Sequence, residues 1–296
     1  MGHELTEPGG KVRLYVAAAL GKDSRVTPDE GQAHYLLHVM RAKAGERVSL
    51  FNGRDGEWLA RIGDVTKRGC TLVCEKQTGK QQEVPDLWLV FAPIKKTPAD
   101  YLTQKATELG VSALQPVFTR RTIVTRVNTD RMRANAIEAA EQSGRLSVPE
   151  IREAVALEKL LAAWSSERRI LFCDEAGEAE PIAEALAKLP PPLAGGGKSF
   201  EQSEKGLGEG SSRNKPLPQS DFASLNQIAP SHKGRGDTES WAVLTGPEGG
   251  FDPAERAMIR ELPNVMPVTL GPRILRADTA ALAALAVWQA IRGDWR

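Results

Sequence analysis

Two stretches near the C-terminal end repeat one pattern: an apolar run, a Gly-Pro turn, then a helix-forming segment. The first is WAVLTGPEGGFDPAER, Trp241 to Arg256, and the second is VMPVTLGPRILRADTAALAALAVWQAI, Val265 to Ile291. Each reads as a buried strand, a turn and a helix. A chain satisfies both at once by laying the strands parallel in one sheet with the two turns at the same edge. A ligand is expected in the concavity between them.

The preceding sequence supports such a sheet. LWLVFA (Leu87 to Ala92) is a continuous apolar run of the kind buried on both faces of a parallel sheet. It leads into TPADYLTQKATELG, where Thr97 is expected to N-cap a helix, Pro98 to take its first position and Gly110 to end it. Leu102, Ala106 and Leu109 share one face of that helix. A strand at Ala113 to Phe118, a basic loop, a helix from about Arg131 to Ser143 stopped by Gly144, a strand at Ile170 to Cys173 and a helix near Pro181 to Leu189 follow. Strands alternating with helices predict an α/β fold with a mostly parallel sheet.

The N-terminal part reads differently. VRLYV from Val12, RVSLFN from Arg47, EWLARIGDV from Glu57 and CTLVCEK from Cys70 have strand composition, and NGRDG and KRG are turn signals. One helix is expected in EGQAHYLLHVMRAK, with Leu36, Leu37 and Met40 on its apolar side. The economical reading is a small β-barrel over residues 1–80, followed by the α/β domain over 83–296. Residues 190–240 are rich in Gly, Ser, Pro, Gln and Asn without a sustained period, and are expected to form a disordered insertion.

Composition narrows the chemistry. No run reaches the roughly 20 apolar residues of a membrane helix and the N-terminus lacks a signal-peptide core, so a cytoplasmic protein is expected. A net charge of +1 leaves any nucleic-acid surface to local clusters of Arg and Lys. Cys70 and Cys74, about 13 Å apart along one strand, are too distant for a disulfide and read as packing residues. His34 and His38 stand one helical turn apart, but with no Asp, Glu or Cys in a matching arrangement no metal site is expected. The glycine loops lack the Lys-Ser or Lys-Thr ending of a P-loop, and no GxGxxG follows the first strand of the α/β part, which argues against a nucleoside-triphosphate enzyme.

Within the loops, Gly246, Gly249 and Gly250 allow positive φ and close backbone approach. Asp252, Pro253 and Glu255 read as a capping box. The second loop carries Gly271, Pro272, Arg273 and Arg276 before a helix expected to be capped by Asp278 or Thr279, and apolar on nearly every side.

The motifs LTGPEGGF and LGPRILRADTA, with QKATELGVSALQPVFTRRTIV and AAEQSGRLSVPEI, resemble those of the RsmE family. HYLLHVMRAKAGERVSLFNGRDGEWLARI extends the likeness into the first domain. That family comprises 16S ribosomal RNA (uracil-N3)-methyltransferases of the SPOUT class. The resemblance implies a PUA-like RNA-binding barrel, a methyltransferase domain with a C-terminal trefoil knot, a homodimer, and S-adenosylmethionine held in the knot loops. Carried onto this chain, the cofactor residues are Leu244, Thr245, Gly246, Pro247, Gly249 and Gly250 in the first loop. In the second they are Leu270, Gly271, Ile274 and Leu275, followed by Ala280. Two departures stand out: Ala277, Asp278 and Thr279 replace the family's usual Thr-Glu-Thr, and the connection at 190–240 is longer than usual.

Methylation at uracil N3 removes an imide proton as negative charge grows on the ring. Arg276 is the expected stabiliser of that charge, since arginine cannot serve as the base. Glu248, Asp278 or water is the expected proton acceptor. Arg120, Arg121 and Arg126 are expected to contact RNA phosphate, Arg41 to do so from the first domain, and Gln142 and Arg145 to position the substrate. Two alternatives stay open: another SPOUT RNA methyltransferase, for example one acting on a tRNA ribose 2'-hydroxyl, and a non-catalytic RNA-binding ribosome-assembly factor.

Overall fold

The computed structural model describes residues 12–66, 69–174, 179–190 and 239–295, so the expected disordered insertion falls almost wholly outside the described residues.

The N-terminal sheet contains β1 (Arg13–Tyr15), β2 (Arg25–Val26), β3 (Arg47–Phe51), β4 (Glu57–Thr66) and β5 (Gly69–Gly79), in the order β1-β3-β4-β5-β2. β1 runs parallel to β3 and the other pairs are antiparallel. Irregular register between β4 and β5 bends the sheet around Leu14, Leu50, Ile62 and Leu72. Cys70 and Cys74 are free thiols buried in that core, where burial pushes both pKa values up.

The helix of this part is shorter and looser than its pattern suggests. α1 (Glu30–His34) starts with a capping box of Asp29 and Gln32, then widens into a π-helical turn, Tyr35–Val39. Arg41, at a φ of 53°, closes the segment. The wider turn buries Leu36 but leaves Met40 42% exposed, so Met40 does not join the apolar face expected for it.

The larger sheet is parallel throughout. It is formed by β6 (Leu87–Phe91), β7 (Ala113–Phe118), β8 (Glu150–Ile151), β9 (Val155–Ala156), β10 (Arg168–Cys173), β11 (Glu180–Pro181), β12 (Ser240–Thr245) and β13 (Val265–Thr269). Its order is β11-β13-β10-β12-β6-β7-β8, with β9 also on β7. Alternating side chains supply two cores, as strands covered on both faces require. Leu87, Leu89, Phe91, Leu171 and Val243 pack under α2 (Lys96–Glu108), α3 (Thr129–Gln142), α5 (Ile182–Ala187) and α7 (Ala277–Ile291). Val90, Ile170, Phe172, Ala242 and Leu244 pack under α4 (Leu157–Ala162) and α6 (Pro253–Arg260).

Helix ends show where local pattern holds and where it fails. Gly110 ends α2 at a φ of 83°, and a Cβ there would lie 2.7 Å from Nε2 of the buried Gln289, which donates to the Leu109 carbonyl at 2.6 Å. The N-cap of α2 is Lys95 rather than Thr97, because the helix begins two residues early without a side-chain cap. α3 starts at Asn128, whose side chain accepts from the Arg131 N–H.

At the amino edge of the sheet, Asp86 accepts from Arg168 Nη2 at 2.7 Å, Ser240 Oγ at 2.8 Å and Ser112 Oγ at 3.2 Å. Burial opposes ionisation of this carboxylate, yet Arg168 and the two hydroxyls hold its pKa below the ordinary 3.8. A depressed carboxylate pKa contributes stability that is fully present above that ordinary value and lost as pH falls through the folded value. Acid unfolding of Asp86→Asn is therefore expected to depend less on pH below about 4 than that of the parent, measured by denaturant midpoints across pH.

Candidate active site

Because β10 lies between β12 and β13 and all three run parallel, their carboxyl ends share one edge. The two glycine loops leave β12 and β13 there, flanking the Cys173–Asp174 end of β10. Between them is a cleft, partly open to solvent. This is the facing arrangement expected from the paired motifs, at the edge where open α/β sheets bind ligands.

The first loop folds back on itself. The Gly250 N–H donates to the Pro247 carbonyl at 2.9 Å with Gly250 at a φ of 67°. The capping box closes as expected, with Asp252 accepting from Ala254 N and Glu255 reaching back to Asp252 N. A Cβ on Gly246 would lie 2.8 and 2.9 Å from Phe251 ring carbons. That ring is buried and packed edge-on to Phe172 at 5.3 Å, so it cannot swing away. Gly246→Ala is expected to cost about 1–3 kcal/mol by overpacking, read as a lower denaturant midpoint.

Of the expected cofactor residues, Thr245, Gly246, Pro247, Gly250, Leu270, Gly271, Ile274, Leu275 and Ala280 line the cleft. Leu244 does not; the alternation of β12 turns it into the core under α4 and α6. Gly249 also stands outside the lining, and its carbonyl accepts from Arg121 Nη1 at 2.9 Å. Ile274, 90% exposed, is an apolar lip of the cleft.

Glu248 lines the cleft, whereas Arg276 and Asp278 stand just beside it. Arg276 is the exposed N-cap of α7, between the lining residues Leu275 and Ala277, which places it at the rim. Neither Asp278 nor Thr279 caps α7: Asp278 lies within the first turn, where its Oδ1 accepts from the Thr279 N–H at 2.9 Å.

Sequence reasoning missed Asp174. Its side chain is fully buried, and it lines the cleft at the end of the central strand. Arg260 Nη2 donates to Oδ2 at 2.6 Å, while Arg256 Nε lies 3.1 Å from Oδ1 as an ion pair without hydrogen-bond geometry. The carboxylate thereby anchors α6, and with it the first loop, to the floor of the cleft. An acid directly after an apolar strand, in FCDE, was the available signal.

The expected RNA residues fall into two groups. Arg120, Arg121 and Arg126 sit on the exposed loop after β7, and Arg121 brings that loop against the first glycine loop. Arg41 is exposed in the N-terminal part and Gln142 at the end of α3. Arg145 turns inward instead: it donates to the carbonyls of Thr107 at 2.7 Å and Val111 at 2.6 Å, closing the C-terminal end of α2. Burial lowers its pKa to about 10. Its fork is spent on those carbonyls, so Arg145 serves as a clamp rather than an outward RNA contact. Beside it Arg13 reaches across from β1, donating to the carbonyls of Ala140, Glu141 and Arg145 and pairing with Glu57. His34 and His38 stack edge-on at 5.0 Å, and no group of three metal-ligating side chains occurs among the described residues.

Comparison with known proteins agrees with this architecture. A family profile described as RNA methyltransferase domain matches residues 80–194 and 213–289, and one described as RNA methyltransferase PUA domain matches 28–74. The chain is similar to Ribosomal RNA small subunit methyltransferase E of Rickettsia conorii, 28% identical over 275 residues covering 93% of each chain. The protein of that name in Bacillus subtilis is 26% identical, covering 89% of this chain and 90% of its own. The crystal structure of the Neisseria gonorrhoeae protein of that name, bound to S-adenosyl methionine, superposes with a TM-score of 0.70 at 25% identity, covering 96% of this chain and 99% of that one. With its methyltransferase profile spanning most of the sequence, behind a PUA domain and over a parallel sheet with a glycine-lined cleft, the chain belongs to the RNA methyltransferase family.

Proposed function

We propose that this protein methylates N3 of a uridine in 16S ribosomal RNA of the small ribosomal subunit, using S-adenosylmethionine. The observation that carries the reading is the cleft between the two glycine loops, in a chain similar along nearly its whole length to proteins named for small-subunit RNA methylation. Its residues fit the cofactor. Backbone groups around Gly246, Gly250 and Gly271 can approach an adenosine closely, while Leu270, Ile274, Leu275 and Ala280 offer apolar contact. The cofactor supplies an electrophilic methyl group on a sulfonium.

The chain's own residues must then bring in an unstacked uracil, stabilise the charge that grows as N3 loses its proton, and accept that proton. Arg276 at the rim meets the carbonyl oxygens. Of the two carboxylates, Glu248 is favoured as acceptor because it lines the cleft, whereas Asp278 spends an oxygen on a neighbouring N–H. Arg121, Arg126 and Gln142 supply exposed contacts for RNA, joined by the exposed Arg41 on the PUA domain.

The same reading includes a trefoil knot in the C-terminal segment and a homodimer. The dimer is supported by α7, which is apolar on nearly every side yet leaves Leu282, Val287 and Ile291 only partly buried. No helix among the described residues is long and apolar enough to cross a membrane. A ribosomal RNA substrate supports a cytoplasmic location.

Isothermal titration tests the cofactor half of the proposal. Saturable binding of S-adenosylmethionine is expected, and no heat at millimolar ligand would favour the assembly-factor alternative.

A further inference from the structure

One buried carboxylate has no part in the steps above. Glu255, in the first turn of α6, is fully buried. Its Oε2 accepts from the Asp252 N–H at 3.1 Å, which completes the helix cap. Its Oε1 accepts from the Arg120 N–H at 2.8 Å, from a loop distant in sequence. Capping needs only the first of these bonds.

Two further ties join the same loops: Arg121 Nη1 to the Gly249 carbonyl at 2.9 Å, and Arg120 Nη1 to Asp252 Oδ1 at 3.1 Å. The basic loop is also closed on itself. Thr119 N donates to Thr122 Oγ1 at 2.9 Å, the two hydroxyls lie 2.8 Å apart, and Thr122 N returns to the Thr119 carbonyl at 3.1 Å. Just past this rigid turn, Ile123 is 78% exposed and Arg126 is exposed. An apolar tip among guanidinium groups suits a strand whose bases are unstacked and whose phosphates are anionic.

We propose that Glu255 is a positioning residue for the RNA: it fixes the loop carrying Arg121, Ile123 and Arg126 to the first cofactor loop, so that RNA docks in register with the cleft. The proposal rests on the methyltransferase reading above. A loop held in its binding geometry beforehand loses less freedom when RNA arrives, and that saving is affinity.

The test compares Glu255→Gln with the parent and with Ile259→Val, which thins the core packing of α6 without touching the basic loop. An amide can accept only one of the two N–H groups and sets an NH2 against the other. Affinity for 16S rRNA, measured by filter retention with saturating S-adenosylmethionine, is expected to fall about tenfold in Glu255→Gln, because the released loop must then be ordered as RNA binds. KM for small ribosomal subunits should rise by the same factor, with cofactor affinity within about twofold of the parent and RNA affinity of Ile259→Val unchanged. Unaltered RNA affinity in Glu255→Gln, or an equal loss in Ile259→Val, would reduce Glu255 to a helix cap and overturn the proposal. Should Glu255→Gln not fold, Glu255→Asp, whose shorter carboxylate cannot reach the Arg120 and Asp252 N–H groups together, carries the same expectation, and unaltered RNA affinity there overturns the proposal equally. Because RNA affinity is read apart from turnover, a parent protein that binds RNA but transfers no methyl group would sink the functional reading and still leave Glu255 decided by this comparison.

Discussion

Arg276→Ala is expected to lower turnover about 10²–10³-fold while S-adenosylmethionine binds within about twofold of the parent. The separation follows from position. The guanidinium stands at the rim as the N-cap of α7, outside the cleft lining, while Leu275 and Ala277 on either side line it. Removing it leaves the cofactor's walls intact but takes away the cation proposed to meet charge developing on the uracil ring. The cap is not lost with it, because the Arg276 side chain makes no capping hydrogen bond. Single-turnover rates at saturating cofactor and RNA check this; near-parental rates would remove Arg276 from the chemistry.

Asp174→Ala is expected to act in the opposite sense, on the cleft rather than on the chemistry. The carboxylate is fully buried and tied to Arg256 and Arg260. Orphaning buried cations costs about 3–5 kcal/mol, but Arg260 in particular keeps access to water, so a loss of about 2–3 kcal/mol is expected. The anchor between the end of β10 and α6 goes with it, and the first glycine loop is released from the floor. Cofactor affinity should fall at least about tenfold. Denaturant midpoints and titration calorimetry read the two effects separately; unchanged cofactor affinity would show that the loop holds its place without the anchor.

Much of the cleft was legible because its determinants are local. Gly250 and Gly271 mark turns at positive φ, and Asp252, Pro253 and Glu255 mark a helix start, each through geometry set within a few residues; Gly246 and Gly249 do not take the positive φ expected of them, and Gly246 is required instead by the packed Phe251 ring. What was not legible depends on pairing across the sheet. Nothing near Cys173 and Asp174 reveals that β10 lies between β12 and β13, and only that order brings the carboxylate to the floor of the cleft. Leu244 shows the same limit in reverse, since adjacency to the glycine loop suggested the cofactor while strand alternation sends it to the opposite core. Arg145 reads as a basic surface residue, but the carbonyls it clamps belong to α2 and the turn after it. In the N-terminal part, Arg25–Val26 is too short to register as a strand, and the π-helical turn at Tyr35–Val39 shifts Met40 out of the face that an α-helical period assigns it.

The identity of the methylated atom can be read directly in one measurement. Small ribosomal subunits lacking the modification are incubated with the protein and methyl-labelled S-adenosylmethionine, and the 16S rRNA is digested to nucleosides. A single labelled product co-eluting with 3-methyluridine is expected. Label in a 2'-O-methylated or carbon-methylated nucleoside, or no label in 16S rRNA beside full cofactor binding, would contradict the assignment.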